Sequence, residues 1–348
     1  MNKTVKKYMI LTALFMMLLI SLSMVGCSRK NTLNILILGD SISEGAGVSD
    51  YSLKWYKFLS PYFEEDYGTK LEITNTSMGG SASYAGYCRL MQQDEKVDYD
   101  IIIICFGAND LEEDFDLYYE SILWNITKKY PDACVYSILE SSEREYTPKM
   151  NAILNLADYY GVKVIDTIDA FNESGYAYEE LSDDGTHPND LGHQIYYEKA
   201  RDVLETDYAD GKYAGTAILT PSEPLRTELL NWGEFKYIPI KDFKQIKNKE
   251  TSGSVAGDLT LNYRYSMKED AIPHAILGLD ITYSGGNNSF VISSNGEELA
   301  ARDVEWSGSP QEHIDIRNSD CSLENDISIS ASENCDGNIE GIFITELN

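Results

Sequence analysis

Ser41 and His187 are the residues from which a reaction can be built. A serine hydroxyl is a weak nucleophile until a neighbouring base takes its proton, and an imidazole is the usual partner. Ser41 lies in Gly39-Asp40-Ser41-Ile42, directly after the apolar run Leu33-Asn34-Ile35-Leu36-Ile37-Leu38. Such a run, closed by a glycine turn, reads as a buried parallel strand delivering a loop to the carboxyl edge of a sheet. That edge is where open α/β folds bind ligands. Alone, the stretch reads equally as a turn or a helix cap. His187, one of four histidines, sits in Ser182-Asp183-Asp184-Gly185-Thr186-His187-Pro188-Asn189. Asp184, three residues before it on the same tight loop, is placed to orient the imidazole and to stabilise its protonated form. Alone, His187 beside Pro188 also reads as the start of a helix.

Acyl transfer further needs hydrogen-bond donors aimed at a developing oxyanion. Gly80, in the small-residue loop 76–83, offers a bare backbone N–H, and Asn109, in Gly107-Ala108-Asn109-Asp110, a side-chain amide. Singly, Gly80 is a turn residue and Asn109 a helix cap. Together with Ser41 and His187 they place a nucleophile, two donors and a base on four separate loops at one sheet edge.

The elements that must position these loops alternate. Strands are expected at 33–39, 70–75, 100–106, 133–139 and 162–166. Helices are expected at 50–66, 114–130, 146–160 and 188–204, with a loop at 171–187. This predicts a doubly wound, flavodoxin-like parallel five-stranded sheet with flanking helices. Residues 206–224, rich in Asp, Gly, Thr, Ser and Pro, read as a linker. Beyond them seven short β-like runs recur (235–240, 258–265, 275–283, 289–294, 313–317, 326–331 and 339–345), predicting an all-β sandwich or jelly roll over 225–348.

In order, Gly39-Asp40-Ser41-Ile42, Gly80, Gly107-Ala108-Asn109-Asp110 and Asp184-Gly185-Thr186-His187-Pro188-Asn189 resemble the four motifs of the SGNH (GDSL-type) hydrolases, over roughly residues 33–205. The resemblance implies an esterase in which Ser41 is the nucleophile and Asp184 and His187 complete the triad. It also implies an oxyanion hole formed by Gly80, Asn109 and the N–H of Ser41. The family spacing selects Asp184 over Asp183. His193 resembles an extension of the last motif and reads as structural. Gly79 precedes Gly80, so either glycine is open as the donor, and Ile42 stands where the family name has Leu.

At 348 residues and 43% hydrophobic content the chain can bury two cores, and its net charge of −29 argues against a nucleic-acid partner. Lys3, Lys6 and Lys7, an apolar stretch from Met9 to Leu22, and Met24-Val25-Gly26-Cys27 resemble a bacterial lipoprotein signal. Residues 1–27 are accordingly expected to direct export and lipidation at Cys27, leaving an extracytoplasmic protein held to a membrane by its acyl chains. Of the remaining cysteines, Cys105 and Cys134 read as buried thiols, and Cys321 and Cys335 flank an acidic segment that a disulfide could close. No metal-ligand spacing is present, and no cofactor is expected. A tethered acidic esterase with an added sandwich fits O-deacetylation of a polysaccharide. The alternatives are a lysophospholipase or lipase-type acyl hydrolase, and a non-catalytic carbohydrate-binding surface protein. Trp306, Tyr263, Tyr265 and Tyr283 are possible sugar-stacking platforms, although alternating strand tyrosines also read as core.

Overall fold

The computed structural model describes residues 30–94, 96–214, 221–247, 259–266, 273–283, 286–306, 311–323, 326–332 and 338–348. The signal, Cys27 and Cys335 lie outside the described residues, as does any pairing of Cys321 with Cys335.

The first domain runs β1 (Thr32–Gly39), α1 (Ser41–Glu44), α2 (Leu59–Tyr67), β2 (Lys70–Asn75), α3 (Ser83–Met91), β3 (Ile101–Cys105), α4 (Phe115–Lys129), β4 (Cys134–Leu139), α5 (Pro148–Tyr160), β5 (Lys163–Asp166), α6 (Thr167–Glu173), α7 (Tyr178–Leu181) and α8 (Asp190–Ala209). Its strands pair in parallel in the order β2-β1-β3-β4-β5, the flavodoxin-like arrangement expected. The isoleucine run of β3 is explained by its two faces. Ile102 and Ile104 enter one core with α3, α4 and α5, while Ile101, Ile103 and Cys105 enter the other with α2 and α8.

Several elements depart from the sequence reading. The helix expected over 50–66 begins as two 3₁₀ turns, Tyr51–Leu53 and Trp55–Phe58, and becomes α-helical only at Leu59. Pro61 lacks an N–H and its ring would strike the carbonyl four residues back, so it is accommodated only in a first turn. Helix α3 was unforeseen because six of its nine residues are buried, which leaves no polar face to mark a helical period. The expected loop 171–187 contains the end of α6 and the short α7, and α8 continues to Ala209, into the stretch read as linker. Cys105 is buried as expected, whereas Cys134 is half-buried.

The second domain comprises β6 (Trp232–Pro239), β7 (Lys244–Lys247), β8 (Leu259–Ser266), β9 (His274–Tyr283), β10 (Gly286–Ser294), β11 (Glu297–Trp306), β12 (Gln311–Asp315), β13 (Asn318–Leu323), β14 (Asp326–Ser332) and β15 (Asn338–Leu347). β7, β11 and β13 add to the seven runs expected. They are short, polar or both, and take their strand conformation from neighbours rather than from an apolar pattern. Two antiparallel sheets result, β11-β10-β14-β8-β7 and β12-β9-β15-β6, with β13 also on β9. Ile276, Ile281, Phe290, Ile292, Ile329 and Ile344 fill the space between them. Tyr263 and Tyr265 pack half-buried against this core, so they are wall rather than platform, and the side chains of Trp306 and Tyr283 lie outside the described set.

The inner sheet is buried on both faces. Ile342 and Ile344 point into the sandwich, while Phe343 between them joins the core of the first domain with Leu277 and Ile314. Trp232 sits 5.5 Å from Tyr87 of α3 and 6.0 Å from Tyr118 of α4, ring centre to ring centre. The Arg89 guanidinium of α3 donates to Glu312 at 2.6 Å. The sandwich is therefore fixed over helices α3 and α4, next to the loops that follow β2 and β3.

Candidate active site

The turn after β1 is shaped by Asp40, which is fully buried and caps α1 by accepting the N–H of Ile42 at 3.0 Å. Gly39 is required there because an added Cβ would stand 2.6 Å from Cβ of Ser43 and 2.8 Å from the Cys105 carbonyl. Ser41 thereby becomes the first residue of a single helical turn with its Oγ facing the last motif. His187 Nε2 lies 2.9 Å from that oxygen, and His187 Nδ1 lies 2.6 Å from Asp184 Oδ2. With the proton on Nδ1, the imidazole donates to Asp184 and accepts from Ser41. The other Asp184 oxygen accepts the backbone N–H groups of Thr186 at 2.9 Å and His187 at 2.7 Å. The His187 bond first, and these amides second, hold the Asp184 carboxyl well below the ordinary carboxylate range, although its side chain is 55% exposed.

Asp183 turns away and accepts from the side chain of Asn189 at 3.0 Å, so Asp184 alone of the two contacts the imidazole. His193 is fully buried with Nε2 on the Ala46 carbonyl at 2.9 Å. It ties the loop after α1 to α8, and Ser49 does the same through Asp190 at 2.7 and 2.6 Å.

The two glycines of the 76–83 loop are not equivalent. The N–H of Gly79 is buried and donates to Glu44 at 2.8 Å, which fastens the loop to α1. Gly80 is exposed, has φ of +73°, and lines the cavity described below. Asn109 Nδ2 donates to Asp40 Oδ2 at 3.1 Å and to the Ser81 carbonyl at 3.2 Å. Both amide hydrogens thus have protein acceptors. These bonds link the loops after β1, β2 and β3, as the sequence required.

Sequence reasoning missed Glu140. It directly follows β4, is fully buried, and accepts the N–H of Ala108 at 2.7 Å and the Cys105 thiol at 3.3 Å. Its signal was an acid closing an otherwise apolar strand at the carboxyl edge of the sheet. Burial pushes its carboxyl up to about 7, and burial followed by repulsion from Glu140 pushes Asp40 up as well.

A cavity of about 600 Å³ opens from Gly80 and Asn109 and runs between the domains. The sandwich supplies Arg302, His313, Asp315 and Arg317 to its wall, and the first domain supplies Glu113 and Asp114. A Cβ added to Gly80 would stand 3.2 Å from the His313 ring. Arg302 pairs with Asp315 at 3.1 Å and Arg317 with Asp114 at 3.6 Å, so the wall is charged but internally compensated.

Residues 37–195 match the model of the GDSL-like lipase/acylhydrolase family. The comparison with curated proteins found no match. Among solved structures, a two-domain esterase active on acetylated mannans superposes with a TM-score of 0.71 at 13% identity, covering 94% of this chain and 95% of its own. The same esterase co-crystallised with mannopentaose gives 0.69 at 13% identity over the same shares. An acetyl xylan esterase aligns with 49% of this chain and all of its own, at 18% identity and a TM-score of 0.43. The two-domain match extends the fold likeness beyond the α/β domain to the sandwich. Residues 37–195 thus carry a GDSL-like lipase/acylhydrolase domain, and the chain is a carboxylic ester hydrolase.

Proposed function

We propose that this enzyme removes O-acetyl groups from a polysaccharide by a two-step mechanism through an acyl-serine. Ser41 Oγ attacks the ester carbonyl as His187 Nε2 takes its proton, and Asp184 stabilises the imidazolium that forms. The N–H groups of Ser41 and Gly80 and the amide of Asn109 receive the negative charge of the tetrahedral intermediate. His187 returns the proton to the sugar oxygen as it leaves, and the same base then activates water to release acetate. The observation that carries the esterase chemistry is the unbroken chain Ser41–His187–Asp184, with links of 2.9 and 2.6 Å.

The substrate class is supported by the cavity at the two donors. Its charged wall of Arg302, Arg317, Asp114 and Asp315 suits hydroxyl-rich sugar rather than an acyl chain, which would strand these groups without water. The fold neighbour that acts on acetylated mannans has the same two-domain arrangement. We further propose export through residues 1–26 and lipidation of Cys27, which would hold the enzyme at the cell surface beside such glycans. Labelling with a radioactive fatty acid tests this, and loss of label in Cys27→Ala is the expected result.

The test of function is acetate release from acetylated mannan, acetylated xylan and acetylated cell-wall glycan, set beside fatty-acid release from lysolipid. Glycan deacetylation is expected to dominate. Preferential lysolipid hydrolysis would replace this reading with the lysophospholipase one. Ser41→Ala is expected to remove nearly all turnover while the protein stays folded, and undiminished activity would remove Ser41 from its role.

A further inference from the structure

We infer that Glu140 is a positioning residue for the Asn109 oxyanion donor, acting with Asp40 as one buried carboxyl pair. The inference rests on the proposed role of Asn109 and extends it to a residue outside the four motifs. Asp40 and Glu140 are fully buried, bear on each other's charge, and directly follow β1 and β4. The loop carrying Asn109 follows β3, the strand between those two in the sheet. The pair grips this loop at two successive residues. Glu140 takes the Ala108 N–H at 2.7 Å, and Asp40 takes one hydrogen of the Asn109 amide at 3.1 Å. With that hydrogen anchored on Asp40 and the other on the Ser81 carbonyl, the amide is held in one plane at the cavity that Asn109 lines.

The surroundings fit a positioning role. Gly107 has φ of +146°, a backbone that side-chain-bearing residues rarely adopt, and an ideal Cβ there would lie in ordinary contact, 3.5 Å, from Glu140 Oε2. From the other side Lys149 of α5 donates to the carbonyls of Gly107 and Asp110, and it pairs with Glu143 at 3.2 Å. The groups whose charge bears on Glu140 are Asp40, Asp110, the Cys105 thiol, and the phenols of Tyr119 on α4 and Tyr196 on α8. All of these are acids, and two adjacent buried anions are costly. Burial and mutual repulsion therefore favour a proton on the pair, whose members follow β1 and β4, the two strands that flank the one leading into the donor loop. A carboxyl pair that only filled core polarity would have no need to hold the donor loop at two points.

The test is a kinetic cycle on a 4-nitrophenyl acetate substrate. Glu140→Ala is expected to lower kcat between about 10- and 100-fold with KM little changed, the scale of a donor displaced by about an ångström. In an Asn109→Ala background the same change is expected to cost less than about threefold, because the interaction it supports is already gone. Glu140→Gln keeps an acceptor for Ala108 and a donor for Asp40, and is expected to restore kcat to within about threefold of wild type. Should Glu140→Ala fail to fold, Glu140→Asp, which withdraws the acceptor from Ala108, carries the same expectation of lowered kcat. An unchanged kcat in the folded variant, or a full additive loss in the Asn109→Ala background, overturns the inference. Either result leaves the esterase reading intact, since that stands or falls with Ser41→Ala.

Discussion

Asp184 and the Asp40–Glu140 pair lie on the same edge of one sheet and serve the same cleft, yet their electrostatics run in opposite directions. Asp184 is half in water, accepts from four hydrogen-bond donors, and is kept ionised far below the usual carboxylate range. Asp40 and Glu140 are sealed from water and pushed up. An ionised acid suits a base that must become a cation during the reaction. A buried pair that favours a proton suits a neutral amide that must not move. Residue type alone therefore does not assign a carboxyl its task; burial and the donors around it do.

The comparison is broken most forcefully by Asp184→Asn, which removes the charge facing His187. A loss in kcat above about 10² is expected, short of the roughly 10⁴ seen for a fully buried triad acid, because solvent partly screens this one. Ester hydrolysis rates measured under substrate saturation check it. Asn109→Ala removes the group that the buried pair holds, and is expected to cost on the order of 10²–10³ in kcat. A change below tenfold would leave the donor role to Gly80 and Ser41.

The opposed shifts also predict opposed pH dependences of stability. The fold holds Glu140 protonated where the unfolded chain ionises it, so its contribution is complete below pH 4.5 and is lost as pH rises through about 7. Asp184 is the reverse, since its contribution is present above the ordinary carboxylate range and lost on acidification. Tm measured from pH 5 to pH 8 is expected to fall less steeply in Glu140→Gln than in wild type. Parallel curves would remove the shifted titration. The smallest effect is expected from Asp183→Asn, whose partner is Asn189 rather than His187. Its kcat should stay within about threefold of wild type, which separates the two neighbouring acids.

Much of the site was legible because its signals are local. Gly39-Asp40-Ser41, Asn109 and Asp184-Gly185-Thr186-His187 each follow or precede an element that the pattern marks, and a parallel sheet gathers loops after strands on one edge. The choice between Gly79 and Gly80 was not legible, since both are glycines in one loop. What separates the two in the fold is Glu44 accepting the N–H of Gly79, a contact made across 35 residues. Helix α3 was hidden because burial on nearly every side erased its period.

Local pattern was enough to give the α/β order of strands and helices, the loops that carry Ser41, Asn109 and His187, and the resemblance of the first domain to the GDSL-type hydrolases. Each rests on residue types read over short spans, where backbone geometry and periodicity act directly. Tertiary structure alone decided that Glu140 would meet Asp40 and that His313 of the sandwich would stand against Gly80. It also decided that charged residues from both domains would wall one cavity. Those contacts join residues far apart in the chain. They are set by how two buried sheets and the helices between them pack, which no local pattern encodes.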